Sequence, residues 1–342
     1  MAYGFNITDT SYAGSVETTY MITKATFGLD TINKGLAMVK DGIKKSHNIP
    51  RIDINNPLQK RVATPNVYTF SGQTTHVDGV KLTPLDIMAY DQFNPRDWET
   101  HFYAEQLSKT LLAREIPLTP SNFLMQLYLN RCFEGIERGI WLGSTTYNTA
   151  SGSTNVGDPY TQLNYFDGVI KKMIADNTYI KPSVSVSAIT SYTASNIQSV
   201  MQDAYQRLPK AILASPMRKK NLKFVMSVVD VLKYEEYLTT NNVYKNNDTT
   251  EAGINRYKGI PVVSVAGLDE NNAILLGEFT NTVDSILWVG TNSVEDLQLQ
   301  IMKLQPNSEE WFFKALFKFD VAISVPSQLY MHTTLSAAYF NN

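Results

Sequence analysis

The sequence predicts an α+β protein, and three observations carry the prediction. Helical periodicity dominates stretches of the first 142 residues, strand-like and helical segments alternate from about Ser191, and two long strand-like runs close the chain. With 342 residues, 43% hydrophobic and 18% charged, the chain can bury a large core in one elaborate unit or two closely joined ones.

After a Ser/Thr/Tyr-rich opening, Lys24 to Ser46 reads as an amphipathic helix. Phe27, Ile32, Leu36, Val39 and Ile43 alternate there with Lys34, Lys40, Lys44 and Lys45. Pro50, Pro57 and Pro65 then forbid a long helix and predict an extended arm. In "NVYTFSGQTTHVDGVKLTPLDIMAY", Val67–Phe70 and Val80–Leu82 are strand-like around a polar, Gly-containing middle, which predicts a long protruding hairpin without a core of its own. A helix follows from Pro95 and stops at Pro117; a longer one is opened by Thr119 as N-cap with Pro120 in its first turn.

The loop "STTYNTASGSTNVGDPY" leads to the short helical segment "FDGVIKKMIADN". Helix Asn196–Arg207, strand Lys223–Val228, helix Asp230–Leu238, polar loop Thr239–Asn255, a hairpin of Ile260–Val265 with Ala273–Leu276, and Ser285–Val289 make up a compact α/β subdomain. "EDLQLQIMKLQP" and "EEWFFKALFKFDVAISVP" are the closing strands, the first alternating Leu297, Leu299 and Ile301 against Gln298, Gln300 and Met302. The chain holds no internal repeat and no low-complexity segment.

A net charge of −2 and a pI near 6.1 create no global field towards nucleic acid or an anionic membrane, so any DNA contact must be local. The opening "MAYGFNITDTSYAG" lacks a basic and then apolar leader, and no apolar run reaches the roughly 18 residues that span a bilayer, which points to a protein made in a cytoplasm. A single cysteine excludes an internal disulfide framework and a zinc site of several thiolates. Cys132 sits among Leu129, Phe133, Ile136 and Ile140 at helical spacing, the setting of a buried thiol.

The search for chemistry eliminates one motif after another. Gly152 and Gly157 have phosphate-loop spacing, but Asp158-Pro159 stands where Lys and Ser or Thr are needed. The stretch from Asp269 resembles a calcium loop except that Ile274 and Thr280 occupy the positions that require Gly and Glu. His47, His76, His101 and His332 lie in separate segments, and the adjacent pairs Glu235-Glu236, Glu295-Asp296 and Glu309-Glu310 diverge on any regular element. The one basic concentration, Lys34, Lys40, Lys44 and Lys45, reads either as a phosphate-contacting face or as an ordinary solvated helix face. A large core, long arms and no catalytic constellation describe an assembly subunit.

In order, the chain offers an N-terminal arm and helix, a protruding hairpin, a long helix, a Gly/Asp loop, an α/β subdomain and a closing pair of long strands. That order resembles the Hong Kong 97-type major capsid proteins of tailed double-stranded DNA bacteriophages, over nearly the whole chain. "FNPRDWETHF" resembles the family's passage from its extended E-loop into the peripheral (P) domain, and "GDPYTQLNYFDGVIKKM" its polar loop before a short helix. "KFVMSVVDVLKYEEYL" followed by "YKGIPVVSVAGLDENNAILLGE" resembles the order of the axial (A) domain.

The resemblance implies an arm and helix over 1–60, an E-loop over 61–94, and a P domain over 95–190 with its spine helix at 120–142. An A domain then covers 191–287, and return strands of the P domain occupy 288–342. It implies intersubunit contacts at Phe70, Gln73, His76, Asp78 and Lys81 of the E-loop, Lys34, Lys40, Lys44 and Lys45 facing DNA, and Asp269 and Glu270 as a hairpin turn in the A domain. Some members seal the shell with a lysine–asparagine isopeptide bond from the E-loop. Lys81 would be the donor here, with plain hydrogen bonding as the simpler role. The implied function is a shell of pentamers and hexamers in the virion, assembled in the cytoplasm of a bacterial host. Portal, scaffolding and decoration proteins and packaged DNA would be its partners; no cofactor, metal or enzymatic activity is implied. An encapsulin-like compartment shell shares the fold, and a soluble α/β enzyme would need convergent polar groups in one pocket.

Overall fold

Along the thirteen residues Trp311–Ile323, Trp311, Phe313, Ala315, Phe317 and Phe319 are buried, and the residues between them are half-buried. That alternation is the signature of a strand with one face on a core, and half of the molecule is built on it. The structure, a computed structural model, describes residues 10–13, 29–54, 58, 60–61, 75–93, 120–146, 163–241, 255–292, 298–305 and 310–340.

The described elements begin with β1 (Thr10–Ala13), α1 (Asp30–Asn33), β2 (Met38–Lys40), β3 (His47–Ile54), β4 (Thr75–Leu82), β5 (Leu85–Phe93) and α2 (Pro120–Leu142). Then come α3 (Val169–Asp176), α4 (Val184–Ser187), α5 (Ile197–Arg207), α6 (Lys210–Ala214), α7 (Pro216–Asn221), β6 (Leu222–Ser227) and α8 (Val228–Thr240). The last are β7 (Arg256–Tyr257), β8 (Ile260–Val265), β9 (Ala273–Glu278), β10 (Leu287–Thr291), β11 (Gln298–Lys303), β12 (Trp311–Ile323) and β13 (Tyr330–Thr333).

β5 pairs antiparallel with one edge of β12, Leu85 opposite Phe319 and Phe93 opposite Trp311. β10 and β11 follow one another along the other edge, the first facing Phe319–Ile323 and the second Trp311–Leu316. β1 pairs with β11, and β2 runs parallel to β10. The expected long helix lies across one face of this sheet, where Tyr128 stacks on Phe313 and Phe133 meets Phe317 edge-on.

The second sheet has five strands in the order β13-β9-β6-β8-β7. Its two faces meet different partners. Val225, Leu275 and Val265 join the large core shared with α2 and β12, while Phe224, Met226, Ile274 and Leu276 form a second core with α5 and α8. Helix α8 is capped by Ser227, whose Oγ accepts from the Asp230 amide at 3.1 Å.

Two expectations fail here. The described part of Lys24–Ser46, from Leu29 on, is no long helix: α1 ends at Asn33, β2 follows, and Gly35 and Gly42 on either side of β2 take φ of 60° and 76°. The left-handed Gly35 ends the helix and Gly42 turns the chain after β2, so the apolar residues that resembled a helical stripe instead serve a turn, a strand and a loop. Ile260–Val265 and Ala273–Leu276 form no hairpin either, because β6 lies between them, parallel to β8 and antiparallel to β9. The helix expected from Pro95 to Pro117 lies outside the described residues.

Candidate assembly surfaces

The protruding element is a ribbon of β3 and β4, paired from His47 opposite Leu82 to Ile54 opposite Thr75. Its arms are therefore His47–Ile54 and Thr75–Leu82; the expected arm Val67–Phe70 lies outside the described residues, with Gln73. The segment of Pro50 is extended, as its prolines imply, and is a paired strand besides, since a two-stranded ribbon leaves each strand an unpaired edge on which a proline is tolerated. Ile49 and Leu82 are buried with Ile43, Trp288 and Ala322 at the foot of the ribbon. Further out, Arg51 and Asp78 face each other and join at 2.7 Å, an exposed pair worth about 1 kcal/mol at most. His76, Asp78 and Lys81 all belong to β4; Asp78 and Lys81 are exposed.

A junction of three segments holds the N-terminal stretch against the body. The Glu137 carboxylate, buried in α2, accepts from the Thr31 amide at 3.1 Å and from Thr31 Oγ1 at 2.5 Å, and Trp141 Nε1 donates to that hydroxyl at 2.9 Å. It thereby satisfies amide and hydroxyl donors at the start of α1. Asp30 accepts from the Ala266 amide, and Lys34 Nζ donates to Asp30 at 2.9 Å and to the Ser264 carbonyl at 2.7 Å. Gly267 lets the turn lie directly on the helix: a Cβ there would stand 2.5 Å from the Glu137 carbonyl oxygen. Burial lifts the Glu137 carboxyl above its usual range against the pull of the Thr31 donors.

Asp269 and Glu270 lie on the crossover from β8 to β9, and each reaches a different element. Asp269 pairs with Arg138 of α2 at 2.5 Å, and Glu270 pairs with Lys233 of α8 at 2.6 Å. Lys233 also meets the buried Asp230 at 3.2 Å, whose carboxyl is held above its usual range by burial, while hydrogen bonding to Lys233 holds Glu270 below its own. The two carboxylates thus pin the crossover between helices, and this arrangement needs no substrate.

The four lysines share no helix face. Lys34 is tied to Asp30 and Ser264, Lys40 ends β2, and Lys44 and Lys45 lie in the exposed loop that follows. His332 is buried between the Tyr192 hydroxyl at 2.6 Å and the Val186 carbonyl at 2.9 Å, and burial lowers its pKa. Cys132 packs against the large core, with its thiol pushed up to about 11 by burial, so little of it is the nucleophilic thiolate. Among the described residues no group of three or more His, Cys, Asp or Glu could hold a metal ion.

Sequence reasoning passed over Glu137 and Asp230, although a signal existed for the first. Glu137 lies four residues after Phe133 and four before Trp141, so helical spacing places it on the apolar face.

No family model matches the chain, and no curated protein matches its sequence. Solved structures do match. A chain of the satellite phage P4 procapsid with its size determination protein is similar at a TM-score of 0.57 and 10% identity, over 93% of this chain and 99% of that one. A capsid chain of the native GTA particle gives 0.51 and 13% identity over 96% of each chain. The holo-SrpI encapsulin complex of Synechococcus elongatus PCC 7942 gives 0.50 and 8% identity, over 96% and 92%. Identities this low speak to fold alone, and they do so over nearly the full length: the chain has the Hong Kong 97-type capsid fold.

Proposed function

We propose that this chain is the major capsid protein of a tailed double-stranded DNA phage, closing as pentamers and hexamers into the shell around the genome. The observation that carries the reading is the end-to-end likeness to the P4 procapsid chain, which leaves neither chain a large unmatched domain. In this reading the β3–β4 ribbon belongs to the E-loop, α2 is the spine helix of the P domain, and the five-stranded sheet with α5 and α8 is the A domain. One sequence must fill rings of five and six, so its contacts are heterologous and adaptable, and a projecting ribbon suits that task by reaching onto a neighbour. Scaffolding and portal proteins would guide closure in a bacterial cytoplasm, and packaged DNA would touch the inner wall through non-specific phosphate contacts.

Electron microscopy and light scattering of the purified chain test the reading: rings or shells support it, and a monodisperse monomer at high concentration and moderate salt counts against it. The likeness to an encapsulin complex supplies the second reading, a compartment shell. Nuclease-protected DNA inside particles isolated from their source selects the phage shell; a protein cargo selects the compartment.

A further inference from the structure

Two exposed patches, on α8 and on α7, carry exposed apolar groups beside charges of opposite sign that have no ion-pair partner among the described residues. The first is on α8, where Val228, Leu232 and Glu236 recur at i, i+4 and i+8 and so line one stripe. Val228 is 47% exposed, Leu232 56% and the adjoining Val229 42%, while Tyr234 and Leu238 on the other side of the helix enter the core. A helix start that shows three branched aliphatic side chains to solvent departs from the usual amphipathic division. Glu236, at the end of the stripe, is exposed and has no ion-pair partner among the described residues.

The second patch is on α7, the short helix that feeds β6. Met217 is 84% exposed, and Lys220 shares its face three residues on. Lys210 of α6 is exposed close by in the chain. Arg218 points the other way, fixed to Glu278 and Gln328, so α7 is anchored through one residue and presents the others. Neither Lys210 nor Lys220 has an ion-pair partner among the described residues. The six residues of β6 separate α7 from Val228 at the start of α8, so the two patches sit on different helices of one rigid unit.

A subunit with an apolar-acidic patch on one helix and an apolar-basic patch on another has two different, complementary surfaces, which suit a heterologous contact with a copy of itself, the kind of contact that generates rings. We propose that, within a ring of subunits, the Val228–Leu232–Glu236 stripe of one copy docks on the Met217–Lys220 face of the next. The aliphatic groups exclude water at the centre of the contact, and Glu236 with Lys220 and Lys210 fixes its register at the rim. This inference rests on the shell reading but adds a defined lateral surface to it.

Charge reversal in the full-length chain is the test, read as the concentration at which rings or shells appear in sedimentation. Glu236→Lys and Lys220→Glu each place like charges across the contact and are expected to raise that concentration about threefold or more. The double variant restores the opposite pairing and returns it to near the parental value. Circular dichroism and thermal unfolding of the unassembled variants should match the parent, because both side chains are exposed and neither has an ion-pair partner among the described residues. Single variants that assemble like the parent overturn the inference while the shell reading stands. A double variant no better than the singles also overturns it, since the two patches then meet different surfaces. If the parental chain never assembles, the shell reading fails and takes the inference with it.

Discussion

The Glu137 carboxylate is the residue on which the N-terminal stretch depends. At 5% exposure it can use only protein donors, and Thr31 supplies both amide and hydroxyl. Glu137→Ala strands those donors in the core and should cost about 1–3 kcal/mol. Glu137→Gln keeps an acceptor and should cost less. The pH sense follows from burial, which raises the folded-state pKa and so favours the protonated form. The unfolded chain releases this proton at lower pH than the fold does. Stability from the group is therefore full below the ordinary glutamate range and declines as pH rises through that range to the higher folded value. Thermal unfolding of parent and Glu137→Gln across this interval should show that slope in the parent and its reduction in the variant; equal slopes would remove Glu137 as the cause. Asp269 gives the contrast at the same junction: half of its side chain is in solvent, although Arg138 opposite is largely buried, and its removal should cost on the order of 1 kcal/mol.

At the scale of elements, local signals were legible and long-range pairings were not. The spacing of Leu129, Phe133, Ile136 and Ile140 gives α2 its buried face, and the alternation before and after Lys314 gives β12. Ser227 ahead of Asp230 marks the start of α8. By contrast, two apolar runs on either side of Asp269 look like a hairpin because nothing nearby reveals that β6, some thirty residues upstream, inserts between them. The lysine-rich segment misled for a different reason: Gly35 and Gly42 carry the break, and weight given to spacing alone passed over them. The same revision changes how the ribbon is tested. Deleting Phe70 to Val80 would remove most of β4, leaving β3 without its partner. Replacing 52–77 with Asn-Gly, so that Arg51 and Asp78 flank a tight turn, keeps the buried foot at Ile49 and Leu82. That variant is expected to fold with a melting temperature near the parent's and to form no closed shells; normal particles would show the excised stretch to be dispensable.

For the whole molecule, the absence of a global positive field limits what DNA could gain from a shell built of this chain, if the proposed function holds. With a net charge of −2, attraction to a genome packaged in the proposed shell would have to come from a few local cations presented to its lumen. Lys34 is a poor candidate once its ammonium is engaged by Asp30 and the Ser264 carbonyl. Lys40 and Lys45 are exposed, one at the end of β2 and the other in the loop leading to the ribbon. If this side of the sheet lines the lumen, exchanging both for Gln should leave empty-shell assembly unchanged and lower the DNA retained per particle. Each lost phosphate contact should also make retention less sensitive to salt, by about one unit in the slope of log affinity against log salt. Because phosphate contacts carry no sequence preference, the loss should be the same for any packaged DNA. Particles that keep their full genome across a salt series would place Lys40 and Lys45 away from DNA, on an outer surface or between subunits. Lys40 and Lys45 would then be ordinary solvated surface groups, and Lys34 a structural one.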